Sequence, residues 1–163
     1  MKQHQRPIGK TQEWFTPFWI ISELGAFDLD PCTSAIRPYE IAEWSITAGG
    51  LEMPWFGRVW LNPPFKRGER SLWMKKMADH NDGIMLVPAN METQDFHNYV
   101  WGRCSGVLIL RKRPHFLRAD GSVAKANSGC TICLVAYGNE NFQYLVKSGL
   151  GPVLTEYIIK LEE

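Results

Sequence analysis

The stretch Gly57 to Phe65 reads GRVWLNPPF, and its core, Arg58-Val59-Trp60-Leu61-Asn62-Pro63-Pro64-Phe65, decides the fold. An apolar run starts behind a glycine and stops at paired prolines, which lack a backbone N–H and cannot extend a central strand. The run shows no polar alternation, so it reads as a strand buried on both faces, the habit of a parallel sheet. Gly83 to Pro88 (GIMLVP) and Gly106 to Leu110 (GVLIL) repeat the pattern. Ala26 to Asp30 (AFDLD) alternates and ends at Pro31, and Cys130 to Tyr137 supplies a further strand.

Between these runs the spacing turns helical. Ser71 is placed to cap a helix whose Trp73, Met74, Met77 and Ala78 share one face, with Lys75, Lys76 and Asp79 opposite. Thr93 is placed to cap a second helix, with Asp95 in its first turn, Phe96, Tyr99 and Val100 inward, and Gly106 beyond its end. Strand alternating with helix predicts an α/β sheet covered on both faces. Ligands then bind at the carboxyl ends of the strands, where the loops Pro31 to Ser34, Pro63 to Arg70 and Ala89 to Thr93 are expected to gather. After Leu110, the segment Arg111 to Asn127 contains the turn pair Asp120-Gly121 and reads as a long basic hairpin closing the sheet. Leu154, Ile158 and Leu161 suggest a short terminal helix.

The composition agrees with one globular unit. The chain has 163 residues, a net charge of +1, 45% hydrophobic and 21% charged residues, which excludes disorder, collagen and coiled coil. We expect a polar tail over 1–12 and one domain over 13–163, since a chain of this size supports one full core. No apolar run approaches the roughly 20 residues needed to span a bilayer. Met1 to Lys10 is polar, so the expected location is the cytoplasm, with no membrane partner. Cys32, Cys104, Cys130 and Cys133 are too scattered for a disulfide framework. Only Cys130 and Cys133 form a CxxC pair, so no metal site is expected and these thiols read as small apolar strand residues. The near-zero charge is uneven: residues 11–56 carry −6, while residues 57–76 and 103–125 each carry +5. Separate basic stretches with interspersed aromatics point to a polyanionic partner.

The chemistry concentrates at Asn62-Pro63-Pro64-Phe65. Without donors at either proline the loop presents carbonyl oxygens, and with the Asn62 side-chain oxygen it can accept both hydrogens of an exocyclic amine. Phe65 offers a face for a planar ring. A group that holds a planar amine this way raises electron density on its nitrogen, which can then attack an electrophile.

This loop resembles the catalytic motif of S-adenosylmethionine-dependent amino-methyltransferases, whose targets are adenine N6, cytosine N4 or a glutamine amide. The wider pattern is similar to the phage-type Dam-like DNA N6-adenine methyltransferase family. Its landmarks are Glu13-Trp14-Phe15-Thr16-Pro17, Asp28-Leu29-Asp30-Pro31-Cys32-Thr33-Ser34, Gly50-Leu51 with Trp55, and Arg58 to Phe65. Pro88-Ala89-Asn90, with Thr93 and Phe96, and Arg113 to Gly121 follow in the same order, so the likeness runs from Gln12 to Gly138. It implies a Rossmann-like methyltransferase sheet of reduced size, mostly parallel with an antiparallel hairpin near the C-terminus. It also implies double-stranded DNA as partner and S-adenosyl-L-methionine as cofactor, in a phage-infected or prophage-bearing bacterial cell.

Carried over residue by residue, the resemblance makes Asn62, Pro63, Pro64 and Phe65 catalytic. It gives Trp14, Thr16, Pro17, Asp28, Asp30, Pro31 and Ser34 to the cofactor, with an acid beside its cationic part, and offers Glu43-Trp44 for its ribose and adenine. Lys66, Arg67 and Arg70 would meet DNA beside the pocket mouth. Arg111, Lys112, Arg113, His115, Arg118 and Lys125 would form a second contact. The chain departs from many methyltransferases in having Cys32-Thr33-Ser34-Ala35 where a glycine-rich turn is usual. His80 and His97 read as structural or solvated, and Met53, Pro54 and Trp55 as packing. The open alternatives are methyl transfer to RNA, to cytosine N4 or to a protein glutamine, and a non-catalytic nucleic-acid-binding protein. An adenine-nucleotide binder of another kind is disfavoured because no GxxxxGK[ST] loop is present. Oligomeric state and recognition sequence are left open.

Overall fold

The computed structural model describes residues 13–66 and 68–155. Eleven elements follow in chain order: α1 (Phe18–Ile21), β1 (Phe27–Asp30), β2 (Ala42–Ser45), β3 (Val59–Leu61), α2 (Glu69–His80), β4 (Gly83–Pro88), α3 (Gln94–Tyr99), β5 (Gly106–Ile109), β6 (Ile132–Tyr137), α4 (Asn139–Ser148) and β7 (Val153–Thr155). The strands form one seven-stranded sheet in the order β2-β1-β3-β4-β6-β5-β7. β1, β2, β3 and β4 are mutually parallel. β6 enters between β4 and β5 and runs against both, and β7 runs against β5 at the far edge. The sheet is thus parallel through its first half and antiparallel through its second.

The uniformly apolar runs sit at the centre, as their composition requires. Every residue of β4 and of β6 is buried, and the strands are in register from Gly83 opposite Tyr137 to Pro88 opposite Ile132. Successive side chains alternate between two cores, one on each face of the sheet, rather than filling the single core expected from the chain length. One core joins Val59, Leu61, Met85 and Val87 to Trp73, Met74 and Met77 of α2 and Phe96 of α3. The other joins Trp60, Ile84, Leu86 and Leu134 to Ile20 of α1 and Leu145 of α4. Helices therefore cover both faces, and the α2 face expected from spacing is the buried one.

Several expectations need correction. Helix α2 starts at Glu69 behind Gly68, whose φ of 87° suits glycine, so Ser71 lies within the first turn; its hydroxyl donates to Asp95 Oδ1 at 2.7 Å, tying α2 to α3. Thr93 does precede α3, yet its hydroxyl turns back to the Asn90 carbonyl at 2.7 Å. Lys76 lies off the buried face as expected, and its ammonium donates to the carbonyls of Leu51 and Met53 at 2.6 and 2.5 Å, holding the chain before β3. The basic segment 111–127 is not a strand pair of the sheet but the connection between antiparallel partners β5 and β6. It does fold back on itself around Asp120-Gly121 as expected, with Leu117 bridged to Val123, the Ala124 N–H donating to the Phe116 carbonyl and the Arg118 N–H to the Ser122 carbonyl, but this small hairpin lies outside the sheet and Leu117 bridges Phe15 instead. Leu154 belongs to β7 rather than to a terminal helix, and Ile158, Leu161 and the 1–12 tail lie outside the described residues. Among the described residues no helix is long and apolar enough to cross a membrane.

Candidate functional site

Because β1, β2 and β3 are parallel, their carboxyl ends meet on one side of the sheet, and the loops that follow them enclose a cavity of about 670 Å³. The walls come from residues 30–34 after β1, 46–50 after β2 and 62–66 after β3, with residues 13–16 passing over as a strap. Such a volume lies within the range that holds a small-molecule ligand.

Asn62 leaves β3 at the point where Pro63 ends the ladder. Its Nδ2 lies 3.0 Å from the Trp14 carbonyl and 3.4 Å from Thr16 Oγ1. A carbonyl can only accept, so the amide must turn its NH₂ to the strap, and Oδ1 is left as an acceptor with no partner among the described residues. Pro63 is buried, Pro64 half-buried and Phe65 37% exposed, with the Phe65 ring packed edge to face on Phe116 at 6.0 Å. The strap itself is held from behind, where Tyr39 Oη donates to the Thr16 carbonyl at 2.5 Å.

Asp30 closes β1 and is 5% exposed. Its Oδ1 accepts one backbone hydrogen bond, from Cys32 N–H at 3.2 Å, and it makes no ion pair among the described residues. Burial raises its pKa from 3.8 to about 7, against the opposing pull of the Cys32 amide and the more distant Arg37. Arg37 is engaged elsewhere, with the Glu40 carboxylate and the Ser34 carbonyl, each at 2.8 Å. Burial and the neighbouring carboxylates push the Cys32 thiol up to about 12, so it is a packing group rather than a nucleophile. Two indole N–H groups of the cavity wall, those of Trp60 and Trp73, are buried without a hydrogen-bond partner among the described residues.

The close backbone approach that a glycine-rich turn would give after β1 occurs one strand over. A Cβ on Gly50 would stand 1.9 Å from the Pro31 carbonyl oxygen and 2.9 Å from the Trp73 ring, so only glycine lets the loop after β2 seat against the loop after β1. Trp55 fastens that loop by donating to the Gly50 carbonyl at 2.8 Å and by stacking on Trp73 at 6.2 Å. The packing role expected of Trp55 holds, whereas Met53 and Pro54, also expected to pack, are exposed; His80 makes a 2.8 Å bond with the Gly57 carbonyl, a structural contact.

Of the residues expected at the site, Trp14, Thr16, Asp30, Pro31, Ser34, Asn62, Pro63, Pro64, Phe65 and Lys66 line the cavity. Others do not. Pro17 caps α1 from outside the cavity. Asp28 accepts the Arg58 backbone N–H at 2.6 Å beside Gly57 and braces the sheet rather than lining the cavity. Glu43 and Trp44 are exposed on β2, short of the strand end that reaches the cavity. The Ala89 to Thr93 loop folds onto Trp101, whose indole donates to the Met91 carbonyl at 3.1 Å, and does not line the cavity. Arg70 lies in the first turn of α2, outside the lining, and Arg67 lies outside the described residues.

Glu13, residues 46–48, Trp60, Glu69 and Trp73 also line the wall, with no ligand role expected of them from the sequence. Trp73 shows why: its helical spacing marks a core position, and it is one, but the core ends at the cavity.

The basic segment reaches this site by packing. Phe116 rests on Phe65, and Leu117 exchanges both backbone hydrogen bonds with Phe15 of the strap, at 2.9 and 2.8 Å. Arg111, Lys112, Arg113, His115, Arg118 and Lys125 are all exposed around these contacts. Cys133 is buried in β6 as an apolar strand residue, while Cys130 lies before the strand. Comparison with models of protein families, with curated proteins and with solved structures finds no match to this chain.

Proposed function

We propose that the protein transfers a methyl group from S-adenosylmethionine to N6 of an adenine flipped out of duplex DNA, on a reduced Rossmann-like methyltransferase sheet. The observation that carries this reading is the convergence on one cavity of Asp30 and Asn62, separated in sequence by β2 and β3. The sheet supports it as well: parallel strands present their carboxyl ends to the cavity, and the reversed strands lie in the C-terminal half.

The residues fit a cationic cofactor. Asp30, a buried carboxylate with a single amide donor and no ion pair among the described residues, is well matched to a sulfonium or ammonium neighbour. The hydroxyls of Thr16, Thr33 and Ser34 line the same wall and can serve a ligand's carboxylate or ribose. S-adenosylmethionine, when bound, supplies a methyl carbon on a positively charged sulfur, open to attack by an amine nitrogen.

The chain's part is to hold the amine. Asn62 Oδ1 and the Pro63 carbonyl accept the two N6 hydrogens, which fixes the amine and directs its lone pair into the cavity. The exposed part of the Phe65 ring stacks on the base. Because the NH₂ of Asn62 is already held by the strap, its oxygen is oriented before the base arrives, and little reorganisation is needed during reaction. Lys66 at the rim and the exposed arginines of 111–125 meet the flanking phosphates.

The test is to incubate the protein with labelled S-adenosylmethionine and mixed-sequence duplex DNA, digest to nucleosides and identify the product. N6-methyladenine is expected. N4-methylcytosine, or label found only in RNA or protein supplied in parallel, would move the reading to another amine. Absence of cofactor binding would leave a non-catalytic nucleic-acid binder.

A further inference from the structure

The strap is extended at Phe15, and its two edges do different things. In extended backbone the polar groups of one residue point opposite to those of its neighbours. Phe15 N–H and C=O both pair with Leu117, while the flanking carbonyls face the other way: that of Trp14 accepts from Asn62 and that of Thr16 accepts from Tyr39. One edge of the strap is therefore bonded to the basic segment and the other to the amide that would hold the target amine. Leu117 lies within two residues of His115 and Arg118, both exposed.

We propose that residues 14–16 couple docking of duplex DNA on the basic segment to the orientation of the Asn62 amide, with Tyr39 as the positioning residue that keeps the strap in place. The proposal rests on the reading of Asn62 as acceptor of the target amine. A phosphate engaging His115 or Arg118 restrains Leu117, Leu117 carries Phe15 with it through paired hydrogen bonds, and the Trp14 carbonyl sets the amide plane of Asn62. Without the Tyr39 hydroxyl, the Thr16 carbonyl loses its bond and the strap is free to shift along its length, so the amide no longer follows the basic segment.

The experiment is heteronuclear NMR of the full chain, following the Asn62 side-chain NH₂ pair, assigned with Asn62→Asp, as a mixed-sequence DNA duplex is added. In the wild type the Asn62 pair is expected to shift together with the Phe15 and Leu117 amides along one binding curve. In Tyr39→Phe the Asn62 pair is expected to move in the free protein, and its response to duplex to fall about threefold or more, while duplex affinity stays within about twofold. Unchanged β4 and β6 amides show that the variant is folded, and Thr16→Val, which removes the second Nδ2 acceptor, gives an independent arm with the same expected loss. In methylation assays Tyr39→Phe should lower kcat about tenfold with KM for duplex nearly constant. An Asn62 pair that is unmoved in both variants, or that ignores duplex in the wild type, overturns the coupling. If the coupled shifts appear but no methyl transfer is found with any substrate, the coupling stands and the methyltransferase reading falls.

Discussion

Replacing Asp30 by Asn removes a charge that the fold buries with no ion pair among the described residues, while keeping the acceptor that Cys32 N–H requires. In the folded protein burial raises the carboxyl from 3.8 to about 7, so between these values the native chain holds a proton that the unfolded chain has lost. Stability must then fall as pH rises through this window, and the loss is complete above about pH 7. At about 1.4 kcal/mol per pH unit the whole window corresponds to an upper bound of about 4 kcal/mol. Local water entry brings the figure below this bound. The assay is denaturant unfolding of wild type and Asp30→Asn across the pH range, reading the difference between them so that other titrating groups cancel. Near pH 4 the two should be nearly equal, and at about pH 8 the variant should be more stable by up to about 4 kcal/mol. Under the same account the variant binds S-adenosylmethionine more weakly, and wild-type binding releases a proton when measured below about pH 7. A pH-independent difference, or a variant less stable than wild type at high pH, would refute the claim that Asp30 is an uncompensated buried carboxyl kept for a ligand.

Other perturbations follow from single contacts. Gly50→Ala places a Cβ 1.9 Å from the Pro31 carbonyl, so it should cost about 1–3 kcal/mol in denaturant unfolding and weaken cofactor binding together. Arg58→Leu leaves the Leu24 and Ala26 carbonyls and the Asn141 amide oxygen without the donor that reaches them at 2.6–2.7 Å, and should destabilise by about 3 kcal/mol or more in the same assay. Substituting Arg111 and Arg113 together by Gln should lower the slope of log affinity for duplex against log salt by about 2, as read by fluorescence anisotropy.

What was legible in the sequence follows the strength of the physical signal. GIMLVP and ICLVAY are apolar throughout and became fully buried strands, and GRVWLN ended as a strand where Pro63 removes its donor. The order of strands was not legible, because nothing local says that β6 inserts between β4 and β5. Helix α4 went unread although Leu145 is buried and Gly149 ends it in the left-handed region, since its first turn, Asn-Glu-Asn, looks like a loop. At the site, Asn62 stood out because the two prolines after it leave an acceptor-rich loop, whereas Asp30, a common type of turn residue, stood out only through the family resemblance. Asp28 looked equivalent to Asp30 by alternation, yet Gly57 lets the neighbouring backbone come close enough to take its carboxylate. The strap was legible as a motif but not as a fastener, since its bonds to Asn62, Tyr39 and Leu117 join residues 23 to 102 positions apart.

The most direct measurement is single-turnover methyl transfer to duplex DNA by wild type and Asn62→Ala, with the product nucleoside identified. The account predicts N6-methyladenine from the wild type and a rate lower by about 10²–10³ in the variant, with cofactor affinity nearly retained. Equal rates in the two proteins, or a cofactor-saturated wild type that methylates no DNA adenine, would contradict it.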